Sequence, residues 1–205
     1  MISTMLFFGD SITAAGRTLQ QPLGQGYVSQ LAEFLVHDLQ FSESKVINSG
    51  VNGNTVGDLL SRIDQDVVQH YPDIVVIKIG INEAHNDFVS GIQLSELKRF
   101  EQDYKTLLNI LRTRLPQCQI ILLTPFFISD NPKDGLYSRV AEYIQIVKSL
   151  GKVNNFHVLD TQTIFDKAVV EKPASLWAED GVHPVLEGHK LIAAEIYKQL
   201  KTWVS

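Results

Sequence analysis

Short apolar runs alternate along this chain with longer stretches in which apolar residues recur every three or four positions. Runs of strand length lie at Met5 to Phe8, Lys45 to Asn48, Ile74 to Ile79, Gln119 to Leu123 and Phe156 to Asp160. The β-branched series Ile74, Val75, Val76, Ile77 leaves no polar face, as expected of a strand buried on both sides. Helical period marks Tyr27 to Leu39 and Thr55 to His70, and in the second Val56, Leu59, Leu60, Ile63 and Val67 share one face. The series Leu97, Phe100, Tyr104, Leu107, Leu108, Leu111, Leu115 predicts the longest helix, stopped by Pro116. Further helices are expected at Tyr137 to Leu150 and Pro184 to Leu200, with a shorter one around Ile164 to Val170. This alternation predicts an α/β fold on a five-stranded parallel sheet. No repeat, low-complexity tract or linker divides the chain, so residues 1–205 read as a single domain. The longer connections are Ala14 to Gly26, Gly80 to Ser95, Thr124 to Leu136 and Lys172 to His183. In an open parallel sheet a ligand site forms beyond the carboxyl ends of the strands, where the connections after strands one, three and four would converge.

Composition narrows the function. With 18 basic against 23 acidic residues the net charge is -5, the wrong sign for a partner of nucleic acid or anionic membrane. No stretch approaches the roughly 20 apolar residues of a membrane span. One cysteine, Cys118, excludes an internal disulfide framework and a Cys-rich metal site, and it reads as a small core residue. Met1 to Phe8 has no basic side chain and its apolar run stops at Gly9-Asp10, so it reads as a strand and not a secretory leader, and a cytoplasmic location is expected.

Four polar blocks fall at the predicted strand exits. Gly9-Asp10-Ser11-Ile12-Thr13 follows strand one, where Gly permits a tight turn and Ser11 would stand at the sheet edge beside the free N–H groups of a short helical turn. Asn48-Ser49-Gly50-Val51-Asn52-Gly53-Asn54-Thr55 follows strand two, and its glycines allow backbone N–H groups to face a ligand. Gly80-Ile81-Asn82-Glu83 follows strand three and offers an uncharged carboxamide donor. Taken alone, the first two read better as a helix cap and an ordinary strand-to-helix turn, and the third can be read as an Asn favoured in turns. Asp180-Gly181-Val182-His183-Pro184 precedes the last helix; a carboxylate three residues before a histidine can fold back onto Nδ1, and Pro184 keeps His183 out of helical geometry. Together they supply nucleophile (Ser11), base (His183), orienting acid (Asp180) and oxyanion donors (Gly53, Asn82) on one sheet edge.

The blocks GDSIT, NSGVNGNT, GINE and DGVHP, in this order from Met5 to about His189, resemble the signature of the GDSL-type SGNH hydrolases. The resemblance implies a flavodoxin-like three-layer α/β/α fold without lid domain, metal or other cofactor. It implies catalytic Ser11, Asp180 and His183, and an oxyanion hole of the Ser11 N–H, Gly53 and Asn82. GDSITAAGR, LGQGYV, INSGVNGNTVGDL, IGINE, LLTPFFI with Asn131-Pro132-Lys133-Asp134, VLDTQTIFD and DGVHPVLEGH are similar, more narrowly, to intracellular bacterial acetyl xylan esterases. That likeness implies O-deacetylation of xylo-oligosaccharides and the capacity to form a homo-oligomer. Glu83 stands where Asp is usual, and Ala84-His85-Asn86 stands where relatives carry Trp and a basic residue.

The expected partner is therefore a small-molecule ester, with neither nucleic acid nor membrane. Asp10, Glu83, His85, Phe126 and Trp177 are the candidate substrate contacts, while His37, His70, His157 and His189 read as structural. Lysophospholipase or acyl thioesterase activity is the alternative within hydrolases. A nucleotide- or flavin-binding module is the alternative outside them, although neither GxGxxG nor a P-loop occurs.

Overall fold

The computed structural model describes residues 2–91, 93–131 and 133–204; Met1 and Pro132, used above, lie outside the described residues. Five strands, β1 (Thr4–Gly9), β2 (Lys45–Gly50), β3 (Ile74–Lys78), β4 (Gln119–Leu123) and β5 (His157–Leu159), form one parallel sheet in the order β2-β1-β3-β4-β5. This is the flavodoxin-like order. Its switch point lies between β1 and β3, where successive connections leave in opposite directions and open a crevice.

Among the described residues eight helices cover the sheet: α1 (Ser11–Ala14), α2 (Tyr27–Val36), α3 (Val56–Asp66), α4 (Ile81–Ser90), α5 (Gln93–Arg114), α6 (Gly135–Asn154), α7 (Thr161–Glu171) and α8 (Leu186–Val204). Packing of α2 on α8 and of α8 on α7 forms one layer; α3, α4, α5 and α6 pack against one another as the other. Buried apolar side chains from Met5 to Leu200 make one continuous core, with every residue of β3 buried.

The expected elements occur, with shifts that side-chain caps explain. Thr55 and Asp58 form a reciprocal capping box, so α3 begins at Val56. Asp134 accepts from Leu136 and Tyr137 N–H and starts α6 early; Asp160 accepts from Thr163 N–H and does the same for α7. One expectation fails. Gly80 to Ser95 reads as a connection, yet it contains α4. The buried face of α4 includes Asp87, which receives the Tyr143 hydroxyl at 3.2 Å and lies 3.4 Å from the Arg139 guanidinium. No side chain caps the start of α4, where Gly80 stands at a φ of 118°, so the sequence carries no start signal for this helix.

Lys78 closes β3 in register with Gly9 of β1 and is fully buried. Its ammonium lies 3.1 Å from Asp10 Oδ2, with neither side chain exposed, and 5.1 Å from the Phe126 ring centroid. Burial pulls the Lys78 pKa down, and Asp10 opposes that pull. Removing one member of a buried ion pair strands the other charge, so Lys78→Met should lose about 3 to 5 kcal/mol of stability in urea titrations. Lys78→Met with Asp10→Asn should recover part of this, because Asn still caps α1 and leaves no buried charge. A single variant as stable as the parent would show that the pair does not hold this edge.

Candidate active site

The site is assembled at the crevice predicted by the strand order. Asp10 caps α1 by accepting from Ile12 N–H at 3.0 Å, and the helix ends after one turn at Ala15, whose φ is 38°. Gly9 and Gly50 let this turn lie on the sheet edge. A Cβ on Gly9 would meet the Lys78 carbonyl oxygen at 2.3 Å, and one on Gly50 would meet Ala14 N at 2.3 Å. Asn48 Nδ2 donates to the carbonyls of Thr13 and Leu23, each at 2.8 Å, and Thr13 Oγ1 lies 2.9 Å from Tyr27 Oη. The single turn of α1 is thereby fixed at both ends, by Asp10 at its start and by Asn48 and Tyr27 at Thr13, and its first residue is Ser11.

Ser11 Oγ lies 2.9 Å from His183 Nε2, and His183 Nδ1 lies 2.7 Å from Asp180 Oδ2. The other Asp180 oxygen, Oδ1, accepts from the N–H groups of Val182 (2.9 Å) and His183 (2.7 Å). This is the fold-back that the three-residue spacing predicts. Burial alone would raise the Asp180 pKa; the His183 side-chain bond and the two backbone donors outweigh it and hold the carboxylate below its ordinary range. The turn is braced by Ile128 N–H donating to Gly181 O and Val185 N–H donating to Trp177 O. In this relay the His183 imidazole, oriented by an anchored carboxylate, can take the proton of the Ser11 hydroxyl.

Gly53 has a φ of +75° and lies in the exposed turn before α3. Asn82, on the first turn of α4, donates through Nδ2 to the Asn54 carbonyl at 2.8 Å. An amide carries two N–H groups, so one remains for a ligand. Arg62 was absent from the sequence reading and ties this loop down. Its Nε donates to Asn54 Oδ1 (2.8 Å), its terminal nitrogens to the carbonyls of Ser49 (2.8 Å) and Gly9 (3.1 Å), and it stacks 4.5 Å over Phe8.

Two clefts flank the triad. A cleft of about 650 Å³ has Ser11, His183 and His189 on its wall together with Gln25, Ser29, Gln30 and Glu33. A second, of about 510 Å³, is bounded by Asn82, His85 and His183 and by the apolar Ile81, Phe88 and Phe127. His189 is structural: Nδ1 accepts from Tyr27 N–H at 3.1 Å, and burial, with the nearby His183 and Lys78, lowers its pKa to about 4.

Of the five candidate substrate contacts, only His85 stands on a cleft wall beside the triad. Asp10 and Phe126 are fully buried, the first against Lys78 and the second against Phe165 with ring centroids 4.7 Å apart, so neither has surface to offer. The Trp177 indole donates to Lys172 O at 3.2 Å and packs on the core outside both clefts. Glu83 lines a separate cavity of about 190 Å³, and its Oε1 accepts from Val56 N–H at 2.5 Å. The pattern of apolar and polar positions cannot separate these cases, because each depends on which way one side chain turns in the packed structure.

Burial, against the Val56 N–H bond, raises the Glu83 pKa from 4.5 to about 7. A raised folded-state pKa contributes stability below the unfolded value and loses it as pH climbs through the folded one. From pH 5 to pH 8 the parent should therefore weaken relative to Glu83→Gln, which has no proton to lose. Thermal unfolding of both proteins across that range tests this; a constant difference in Tm would place the Glu83 ionisation elsewhere.

The sequence model of the GDSL-like Lipase/Acylhydrolase family matches residues 7–191. The acetylxylan esterase of Geobacillus stearothermophilus is 32% identical over 204 residues, 96% of this chain and 93% of that protein. Its crystal structure superposes with a TM-score of 0.86, at 31% identity, over 96% of this chain and 93% of that one. An arylesterase of Vibrio mimicus is 26% identical over 96% of this chain and 87% of its own length. The thioesterase 1/protease 1/lysophospholipase L1 of Escherichia coli is 23% identical over 98% and 85%.

Proposed function

The chain belongs to the GDSL-like lipase/acylhydrolase family and is a carboxylic ester hydrolase, and from that premise we propose that it removes O-acetyl groups from small carbohydrates such as acetylated xylo-oligosaccharides. One observation carries the substrate choice: beside the apolar Ile12, Pro184 and Leu186, the larger cleft at Ser11 is edged by Gln25, Ser29, Gln30 and Glu33, side chains suited to hydroxyl groups. The 32% identity to an acetylxylan esterase supports the same reading. The apolar residues Phe88, Phe127 and Ile81 of the second cleft favour a second reading, an ester with a longer or aromatic acyl group. The family assignment leaves the nucleotide- or flavin-binding alternative without support.

In the mechanism we propose, Ser11 Oγ attacks the ester carbonyl as its proton passes to His183 Nε2, 2.9 Å away. The Ser11 and Gly53 N–H groups and the free Asn82 N–H receive the developing oxyanion. Asp180 holds the Nδ1 proton of His183 and stabilises the imidazolium. His183 returns the proton to the leaving alcohol, the acyl group remains on Ser11, and the same imidazole activates the water that releases it. His183 accepts that proton in its neutral form.

A panel of esters from acetyl to palmitoyl, including acetylated xylo-oligosaccharides, tests the proposal. Acetyl esters should be hydrolysed best and Ser11→Ala should be inactive; a preference for palmitoyl would overturn the acetyl reading alone, and an active Ser11→Ala the whole mechanism. Asn82→Ala should lower kcat by about 100- to 1,000-fold through loss of one oxyanion donor. Unchanged turnover in that variant would take Asn82 out of the mechanism.

A further inference from the structure

Glu83 has no part in the chemistry above, yet it lies between the two segments that carry the oxyanion donors. Its Oε1 accepts from the N–H of Val56, three residues after Gly53, while its neighbour Asn82 donates to the carbonyl of Asn54, one residue after Gly53. The two bonds run in opposite directions between residues 82–83 and 54–56. The capping box of α3 satisfies the N–H groups of Thr55 and Asp58 and leaves that of Val56, an orphan donor of the first turn, to a residue of another helix. The other carboxylate oxygen, Oε2, is buried without a hydrogen-bond partner. Such a group is expensive to keep and asks for a reason.

We propose that Glu83 is a positioning residue which, by locking the start of α3 to the start of α4, sets the spacing at which the Gly53 N–H and the Asn82 amide meet a single oxyanion. This rests on the assignment of Gly53 and Asn82 as oxyanion donors made above. The carboxylate form binds the Val56 N–H more strongly than a neutral acceptor would and faces the positive end of α3. The charges around it come from every element packed on it. Asp10 and Lys78 lie at the edge of β1 and β3, and Tyr104 and Tyr143 approach from α5 and α6. Glu96, Arg99 and Asp103 surround the small cavity.

Kinetics on a short acetyl ester with Glu83→Ala, Glu83→Gln, Val56→Pro and the Glu83→Ala/Val56→Pro double variant decide the matter. Val56→Pro deletes the donor at a first helical position, where proline is favoured, and Thr55 before it is already extended at φ -101° and ψ 172°. Glu83→Ala and Val56→Pro should each lower kcat about 10-fold or more with KM within about 2-fold, the signature of an interaction realised in the transition state. The double variant should lose no more than either single, and Glu83→Gln, which keeps an acceptor, should stay within about 3-fold of the parent. Inhibition by a boronic acid, a tetrahedral mimic, should weaken in step with kcat/KM. Parent-like kcat in Glu83→Ala, additive losses in the double variant or unchanged boronate affinity would overturn the proposal. If Glu83→Ala does not fold, Val56→Pro decides alone. A slow Asn82→Ala beside a fast Glu83→Ala overturns this inference only, whereas a fully active Asn82→Ala removes the oxyanion reading with it.

Discussion

The buried pair between Asp10 and Lys78 is the constraint on which the working edge of this protein depends. Each charge is intolerable in that position without the other. Lys78 ends β3 and Asp10 follows β1, so their 3.1 Å contact joins the two strands at the switch point of the sheet. The same carboxylate caps α1. One side chain thus determines where β1 stops, in what direction the chain leaves it, and how Ser11 is presented. Such a pair adds little net stability over an apolar equivalent, and here it contributes definition: only one arrangement of the edge satisfies both charges.

The rest of the site repeats this logic with neutral and surface partners. Asn48 and Tyr27 hold the end of α1, Arg62 binds the glycine-containing loop after β2 to the end of β1, and Asn82 and Glu83 tie that loop to α4. Against this rigid side stands an open one. Asp180 and His183 are each 55% exposed on a turn before α8, anchored through a few backbone hydrogen bonds. In the proposed mechanism a fixed side for the oxyanion donors and an accessible base suit a reaction in which the carbonyl must be held while alcohol and water come and go.

Much of this was legible in the primary structure because it is local. The period of two or of three to four positions marks strands and helices without knowledge of partners, and the five strands and most helices follow from it. Asp180 and His183 are three residues apart, so their mutual geometry is largely a property of one turn. Block order along the chain locates Ser11, Gly53 and Asn82 at strand exits. Where non-local partners decide, the reading falls short. The helix α4 has no side-chain cap to announce it, and the burial of its Asp87 is made possible by Tyr143 from a helix more than fifty residues away. Lys78 breaks an apolar strand and could have signalled a buried partner, but only the register of β3 on β1 identifies Asp10.

The sequence by itself determined the class of the fold, the sheet edge that holds the candidate site and the set of residues proposed for catalysis, since periodicity and short spacings are written residue by residue. Tertiary structure alone decided which polar groups face a ligand. Asp10, Phe126 and Trp177 sit beside the site in sequence yet turn to Lys78, Phe165 and Lys172, whereas Ser29 and Gln30, unmarked by any motif, form a cleft wall with Gln25. The physical reason is that a buried charge or ring must satisfy itself against whatever the packing brings near, and that neighbour lies far away along the chain.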